Sequence, residues 1–494
     1  MPEQAVLVID AGTSSIRCHL FDERGVEMAA EQAFWPPSIA PAELPLAREF
    51  RPDSVLSGVH GLIRRIIDRV DVEVGAVAVT SMRQGIAILD HDGQAVYLGP
   101  NVDLRAVFEG AAIDEAHREL VYETTGHLPS FFFAPAKLVW LRDNRPRLFD
   151  RIRTAVTIPD WIILQITGLL ASEPTLAGEA GLLDITSRRW ATRLAETLNV
   201  PLDDSVPMVE AGRVVGGINR RTAQETGIAV RTPVVSAGAD TQCAALGMGA
   251  TEPGQVAVVA GWSAPVQQVT ELPMPSARGA TWVGCHLAGR RWVAESSAWD
   301  AGRAYSWIAE TTGRSFEELE SAAEAVGPGA EGTIAVFGHP RMDMSSVGLR
   351  CGGMVFPVPV TMNERGPGHL ARAALESVCY SIKANLEQLG DVTGRPAESI
   401  ALGGGLARSG LFGHVLANVL DADILVLSHK SASAAGAFLC AKLALTGCDS
   451  LSQASNRSSA DMVRIPPDAL LASEYQDHYS RWLQASSALA SVQV

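Results

Sequence analysis

Three short stretches carry side chains and bare backbone suited to phosphate chemistry. In Asp10-Ala11-Gly12-Thr13-Ser14, Gly12 lets a phosphate approach the backbone closely. Thr13 and Ser14 add hydroxyl and N–H donors, the physics of an anion-binding nest. Asp10 repels phosphate unless a cation intervenes, so its natural task is to hold Mg²⁺ through water. An ordinary Asp-Gly turn uses the same residue types, and on this motif alone both readings stand. In Gly403-Gly404-Gly405-Leu406-Ala407-Arg408-Ser409, three consecutive glycines cost backbone entropy that a tight turn does not require. Purine or phosphate contact is the usual reason for such bare backbone. Arg408 stands where a dinucleotide fingerprint needs its third glycine, and no Gly-Lys-Ser/Thr follows to make a Walker A loop. The third stretch, Gly238-Ala239-Asp240, puts a carboxylate at the end of a strand, where open α/β sheets bind ligands. Taken by itself, Asp240 is more simply a helix N-cap.

The elements that must position these residues follow from the apolar pattern. Residues 6–9 and 16–21 read as a β-hairpin with Asp10 and Gly12 at the bend. Residues 35–46 read as irregular surface, 54–70 as a helix, and 74–80 and 86–89 as strands, with a tight turn at His91-Asp92-Gly93. An amphipathic helix is expected at 136–141. Another opens at Pro159-Asp160-Trp161 and ends at Thr167-Gly168. Residues 176–183, rich in Gly and Ala, read as a loop or a closely packed turn. Strand 233–237 leads through Asp240 into a small-residue helix at 241–246. Strand 255–260 is then broken by Gly261-Trp262-Ser263 much as Asp10-Ala11-Gly12 breaks the first strand. This restart predicts two similar α/β halves, 1–248 and 249–494. In the second half, helices at 370–389, 411–420 and 432–446 alternate with strands at 400–402 and 424–427, as in an α/β class.

Composition limits the partners. The 494 residues would make two to four domains at about 100–200 residues each. A content of 47% hydrophobic residues supplies large buried sheets and argues against disorder. Forty basic against fifty-five acidic residues, a net charge of −15, argue against nucleic acid or an anionic membrane as partner. A local anion site on backbone N–H groups is unaffected by that total. No signal peptide and no apolar run long enough to span a bilayer is found, and the seven cysteines form no Cys-x-x-Cys pair. The expectation is a cytoplasmic, reduced protein without a zinc site. Asn456-Arg457-Ser458 is a formal glycosylation sequon read as chance.

Together, the three motifs stand in the order and at the spacing of the FGGY carbohydrate kinases, part of the actin–Hsp70–sugar kinase superfamily, and the chain resembles that family over nearly its whole length. His369-Leu370-Ala371-Arg372-Ala373-Ala374-Leu375-Glu376 is similar to the tail of a family signature, while 352–368 departs from it. Within the family the chain most resembles the bacterial autoinducer-2 kinases. The supporting stretches are Asp10 to Arg17, Ser81-Met82-Arg83-Gln84-Gly85-Ile86, Asn101-Val102-Asp103-Leu104-Arg105-Ala106, Asp160-Trp161, Gly181 to Thr186, and Gln267-Gln268. Xylulose kinases fit less well: they usually carry His where this chain has Gln84 and Trp-Asn-Asp where it has Asn101-Val102-Asp103.

The resemblance implies two actin-like, ribonuclease H-like domains with a ligand cleft between them, and transfer of the γ-phosphate of ATP to a hydroxyl of a small sugar. Asp240 is the implied general base. Asp10 and Asp240 would serve Mg²⁺, and Gly12, Thr13, Ser14, Gly261 and Ser263 the phosphates. Gln84, Asp103, Arg105, Asp240 and Gln242 would face the sugar. Gly404, Gly405, Ser409 and Gly436 would line the nucleoside pocket. Family members are often dimers, so a homodimer is implied, although no segment reads as an interface. The implied substrate is a linear ketose resembling autoinducer-2 (dihydroxypentanedione), with xylulose or ribulose as alternatives. A Gly-Thr-Ser loop is common in the family where this chain has Gly261-Trp262-Ser263. Ser263 could replace the Thr, Trp262 could wall the cleft, or Trp262 could be a packing residue at the domain seam. An actin- or Hsp70-like ATPase and a catalytically weak ligand binder are the alternatives of other classes.

Overall fold

The apolar residues at 5–11 are buried without alternation, as a central strand covered on both faces demands. They belong to β1 (Gln4–Ala11), which turns at 12–14 into antiparallel β2 (Ser15–Phe21). β3 (Glu27–Phe34) forms the edge, with alternating exposure. β4 (Glu73–Ser81) lies parallel to β1 on its other side. β5 (Val214–Gly217) and β6 (Pro233–Ala239) complete a six-stranded sheet of order β5-β6-β4-β1-β2-β3. This computed structural model describes residues 4–39, 45–345, 351–358, 365–427, 431–447, 450–458 and 462–492.

The second sheet contains β7 (Gln255–Val259), β8 (Ala264–Thr270), β9 (Trp282–Cys285), β10 (Trp292–Ala298), β11 (Ser399–Gly403), β12 (Ile424–Val426) and β13 (Val463–Ile465). Its order is β9-β10-β8-β7-β11-β12-β13. The antiparallel trio β10-β8-β7 followed by parallel β11 and β12 repeats β3-β2-β1 followed by β4 and β6. The repeat suggested by the two broken strands is thus present in the topology.

Four helices frame the site: α1 (Pro174–Glu179), α2 (Asp240–Gly247), α3 (Ala301–Thr312) and α4 (Ala432–Thr446). Each sheet is covered in part by a helix from the other half of the chain. α4 lays Ala434, Ala437, Phe438 and Ala441 on Val6, Val8, Ala76, Ala78 and Val235 of the first sheet. Ala244 and Ala245 of α2, with Met248, pack on Ala257 and Ala401 of the second. The small residues of both helices permit this close crossing. At Gly436 a β-carbon would fall on the Cys243 carbonyl, so no larger side chain fits.

Two elements differ from expectation. Residues 174–179 are a helix, because Glu173 caps it by accepting from the N–H groups of Thr175 and Leu176. The helix Ala134–Asn144 buries Ala134 and every residue from 136 to 141, so it is a core helix and not an amphipathic one. Thr157 and Asp160 form a capping box at the start of the helix Ile158–Thr167, and Gly168 ends it in the left-handed region at φ 84°. Cys18, Cys243, Cys285, Cys351, Cys379 and Cys440 are free, and Cys448 lies outside the described residues. Among the described residues, no helix is long and apolar enough to cross a membrane.

Candidate active site

Asp10 sits at the end of β1, where the hairpin opens into 12–14. The Gly12 N–H donates to the Ser15 carbonyl (2.9 Å), and the Trp35 indole donates to the Gly12 carbonyl (2.9 Å). The Thr13 hydroxyl donates to Asn101 Oδ1 (3.1 Å), and Ser14 is exposed at the tip. The Ser433 hydroxyl, from the start of α4, is 3.4 Å from Asp10 Oδ2. This contact joins the hairpin to the second half.

Asp240 opens α2 directly after β6. Gly238, at φ 93°, lets the strand pass Leu287 and Thr175, where a β-carbon would collide. Asp240 Oδ1 accepts from the Thr241 N–H (2.7 Å) and hydroxyl (3.1 Å). The carboxyl is pushed up to about 7, first by burial and then by the negative charge of Asp10, with Arg83 acting in the opposite sense. Burial likewise raises the Asp10 carboxyl, against the pull of His19 and Arg17.

The turn after β4 supplies Arg83 and Gln84, the latter at φ 56°. Arg83 Nη1 donates to both oxygens of Glu295 (2.7 and 2.6 Å), a residue of β10 in the second half. It also lies 3.6 Å from Glu179 Oε2, at the end of α1. Glu179 accepts from Gln84 Nε2 (3.0 Å) and Gln242 Nε2 (2.7 Å), and His127 Nε2 is 3.6 Å away. Burial alone would raise the Glu179 carboxyl, but Arg83 and His127 hold it below the usual range. Arg83 also packs over the Trp282 ring at 5.6 Å. Gln84, Gln242 and Asp240 therefore share one polar region, through Glu179 and Arg83.

Asp103 and Arg105 have a different setting. Asp103 accepts from the Arg48 N–H (2.7 Å), the Tyr97 hydroxyl (2.7 Å) and Arg105 Nε (2.8 Å), and it is fully buried. Arg105 also donates to Glu49 (2.6 Å) and stacks on Tyr97 and Trp140. These contacts run to protein groups and brace the loop that carries the pair.

On the second half, Gly404 is at φ 98°, and a β-carbon there would lie 2.5 Å from the Ala260 carbonyl oxygen. At Gly405 a β-carbon would meet no atom within 4 Å, so the backbone there is open. Gly261 donates to the Ser263 carbonyl (2.8 Å) and accepts from the Gly302 N–H at the start of α3 (3.1 Å). Trp262 is 68% exposed with Arg303 over its ring, which removes the packing explanation for it. Two residues expected at the nucleoside pocket also have roles within the protein. The Ser409 hydroxyl caps the helix Gly410–Leu420 and donates to Glu320 (2.7 Å), and Gly436 is occupied by the helix crossing.

The N-terminal domain of the FGGY family of carbohydrate kinases matches residues 5–247, and the C-terminal domain of that family matches 257–445. The chain belongs to the FGGY family of carbohydrate kinases. It is 30% identical over 465 residues to an autoinducer-2 kinase of Salmonella paratyphi A, covering 88% of this chain and 85% of that one. Its fold matches the ligand-bound xylulose kinase of Lactobacillus acidophilus with a TM-score of 0.87, 18% identity and 99% coverage of both chains. It also matches Plasmodium falciparum glycerol kinase with ADP, with a TM-score of 0.86, 16% identity, and 100% and 99% coverage. As a member of this family the protein is a phosphotransferase acting on a hydroxyl group of a small sugar-like molecule.

The sequence motifs of this FGGY kinase point to Asp10, Asp240 and the glycine turns and do not single out Arg83, Glu179 or Glu295, which the fold brings together. Arg83 is adjacent to Gln84 and could have been found as its neighbour. Glu179 lies in a Gly- and Ala-rich stretch and Glu295 in a buried strand, where a lone buried carboxylate is the only signal.

Proposed function

We propose that this FGGY kinase transfers the γ-phosphate of ATP to a hydroxyl of a neutral, linear sugar, with Asp240 as general base. The supporting observation is the position of Asp240 at the start of α2. One carboxylate oxygen is fixed by Thr241, and the carboxyl is poised near 7 beside Arg83, Gln84 and Gln242. The hydroxyl oxygen forms the new bond to the γ-phosphorus and its proton passes to Asp240. The bond from that phosphorus to the β,γ-bridging oxygen breaks, and ADP leaves.

The residues present suit the phosphates and a divalent cation. Asp10 and Asp240 are both raised by burial, and the charge of Asp10 adds to the cost of ionising Asp240, a cost that a hard cation relieves. Among the described residues no cluster of three or more metal-ligating side chains occurs, as suits Mg²⁺ held largely by water and phosphate. When bound, Mg²⁺ would neutralise charge on the phosphate oxygens. The N–H groups of Gly12 and Gly261 close their own turns, so these glycines give the phosphates room to approach, while Thr13 and Ser14 from one half and Ser263 from the other offer backbone N–H groups and hydroxyls. Gly404 and Gly405 leave bare backbone for the nucleoside. Arg83, Gln84 and Gln242 orient the sugar, which supplies most of the rate because phosphoryl transfer depends on positioning. The division of labour is between residues 1–248, which hold the sugar and the base, and 249–494, which hold the nucleotide.

Autoinducer-2-like dihydroxypentanedione is the best candidate substrate, supported by 30% identity to a protein named autoinducer-2 kinase. Xylulose or ribulose is the next. ADP release coupled to NADH oxidation, with Mg²⁺ and ATP over linear ketoses, polyols and dihydroxypentanedione, tests this reading. Sugar-dependent ADP release is expected, and sugar-independent ATP turnover alone would contradict it.

A further inference from the structure

Two side-chain amides in the buried polar region are half-satisfied in the same way. Gln242 Nε2 donates to Glu179 Oε1 (2.7 Å), and Gln267 Nε2 donates to Glu295 Oε2 (2.7 Å). A carboxylate is an acceptor only, so each anion fixes the amide with nitrogen toward it. Each Oε1 is thereby turned away, and neither has a hydrogen-bond partner although both residues are fully buried. A buried, unpaired amide carbonyl is costly and needs a ligand donor or water to explain it.

The two amides come from opposite halves. Gln267 lies on β8 directly across from Glu295 of β10, which is itself across from Trp282 of β9. This row faces the first half, where Arg83 bridges Glu295 to Glu179 and so to Gln242. Gly284, with no side chain, sits beside Glu179 Oε1 and Gln242 Nε2.

We infer that Gln267 is a specificity-determining residue: its amide oxygen, with that of Gln242, takes hydroxyl hydrogens of a neutral polyhydroxy substrate enclosed between the halves. The inference rests on the kinase reading above and adds a second-half contact to the sugar site. Two amide oxygens beside two carboxylates form an acceptor-rich wall. A polyol or ketose supplies the donors this wall lacks. An aldonate would bring a third anion to it, where Arg83 and His127 already answer the two carboxylates. The second half thus selects the sugar as well as holding the nucleotide.

The test uses the full chain with Mg²⁺ and ATP, measuring ADP release with D-xylulose, D-ribulose, dihydroxypentanedione, xylitol and D-gluconate. A neutral compound is expected to be turned over at least about 10-fold more efficiently than D-gluconate. With the best neutral compound, Gln267→Leu is expected to raise the sugar KM about 10-fold or more with a smaller change in kcat, and Gln267→Asn to fall between. Should Gln267→Leu not fold, Gln267→Asn alone carries the KM comparison. Equal use of D-gluconate, or an unchanged sugar KM in the folded variants, overturns the inference and leaves the kinase reading in place. No ADP from any compound with the unaltered protein overturns the kinase reading, and this inference with it.

Discussion

The negative charge of Asp10 adds to burial in lifting the carboxyl of Asp240 to about 7. One closes the first strand and the other opens a helix late in the first half, so only the parallel arrangement of β1, β4 and β6 makes them neighbours in charge. A base with this value is half-ionised near neutrality, which suits proton transfer at physiological pH.

The pH dependence follows in sign. The folded-state value of Asp240 lies above the ordinary 3.8, so folding binds a proton between the two values. Its contribution to stability is fully present below about 4 and is lost as pH rises through about 7. Asp240→Asn should therefore raise Tm relative to the parent at pH 8 and change it little at pH 4, both measured without Mg²⁺ by calorimetry. In the parent, kcat/KM should rise with pH along an acid limb near 7, as the ionised form is the base. A Tm gain at pH 4 equal to that at pH 8 would contradict this assignment.

Gly404 and Gly405 should respond differently to alanine. At Gly404 the positive φ and the Ala260 carbonyl both oppose a β-carbon, so Gly404→Ala should cost about 1–3 kcal/mol in denaturant unfolding. Gly405 has open space, so Gly405→Ala should stay within about 0.5 kcal/mol. Any rise in the KM for ATP in Gly405→Ala then reports the nucleoside contact, free of a folding defect.

Removing Arg83 strands two carboxylates. Arg83→Met should cost about 3–5 kcal/mol, because Glu295 and Glu179 lose their shared cation in a buried site. The double variant Arg83→Met, Glu295→Gln should recover part of that stability and none of the activity, read by urea unfolding and ADP release.

Asp103 should prove structural. With three donors filling its oxygens, Asp103→Asn should lower stability by about 1.5–3 kcal/mol. The sugar KM of whatever protein folds should change less than about two-fold, well under the roughly 10-fold that loss of a direct hydroxyl contact produces. A large KM change with unchanged Tm would return Asp103 to the sugar pocket.

The motifs that local physics dictates were legible in the chain. The Asp10–Ser14 bend, the strand-to-helix step at Asp240 and the glycine turn at 403–405 each depend on neighbours in sequence, and each appears where the pattern puts it. The pairings that complete the site were not, because Arg83 and Glu295 meet only after two sheets have formed and faced each other. Gly436 shows the same limit from the other side. The crossing with α2 already requires a glycine there, so the residue type alone does not single out a ligand contact. Helix 174–179 escaped notice because small residues carry no periodic signal, and its cap, Glu173, is a buried carboxyl recognisable only in place.

The most direct test of the account is Asp240→Asn assayed with saturating Mg²⁺, ATP and the best neutral sugar. Sugar-dependent ADP release should fall by at least about 100-fold, the loss expected for a general base, while ATP affinity measured by titration calorimetry stays within about three-fold. Turnover within a few-fold of the parent would contradict the assignment of Asp240 and the mechanism built on it.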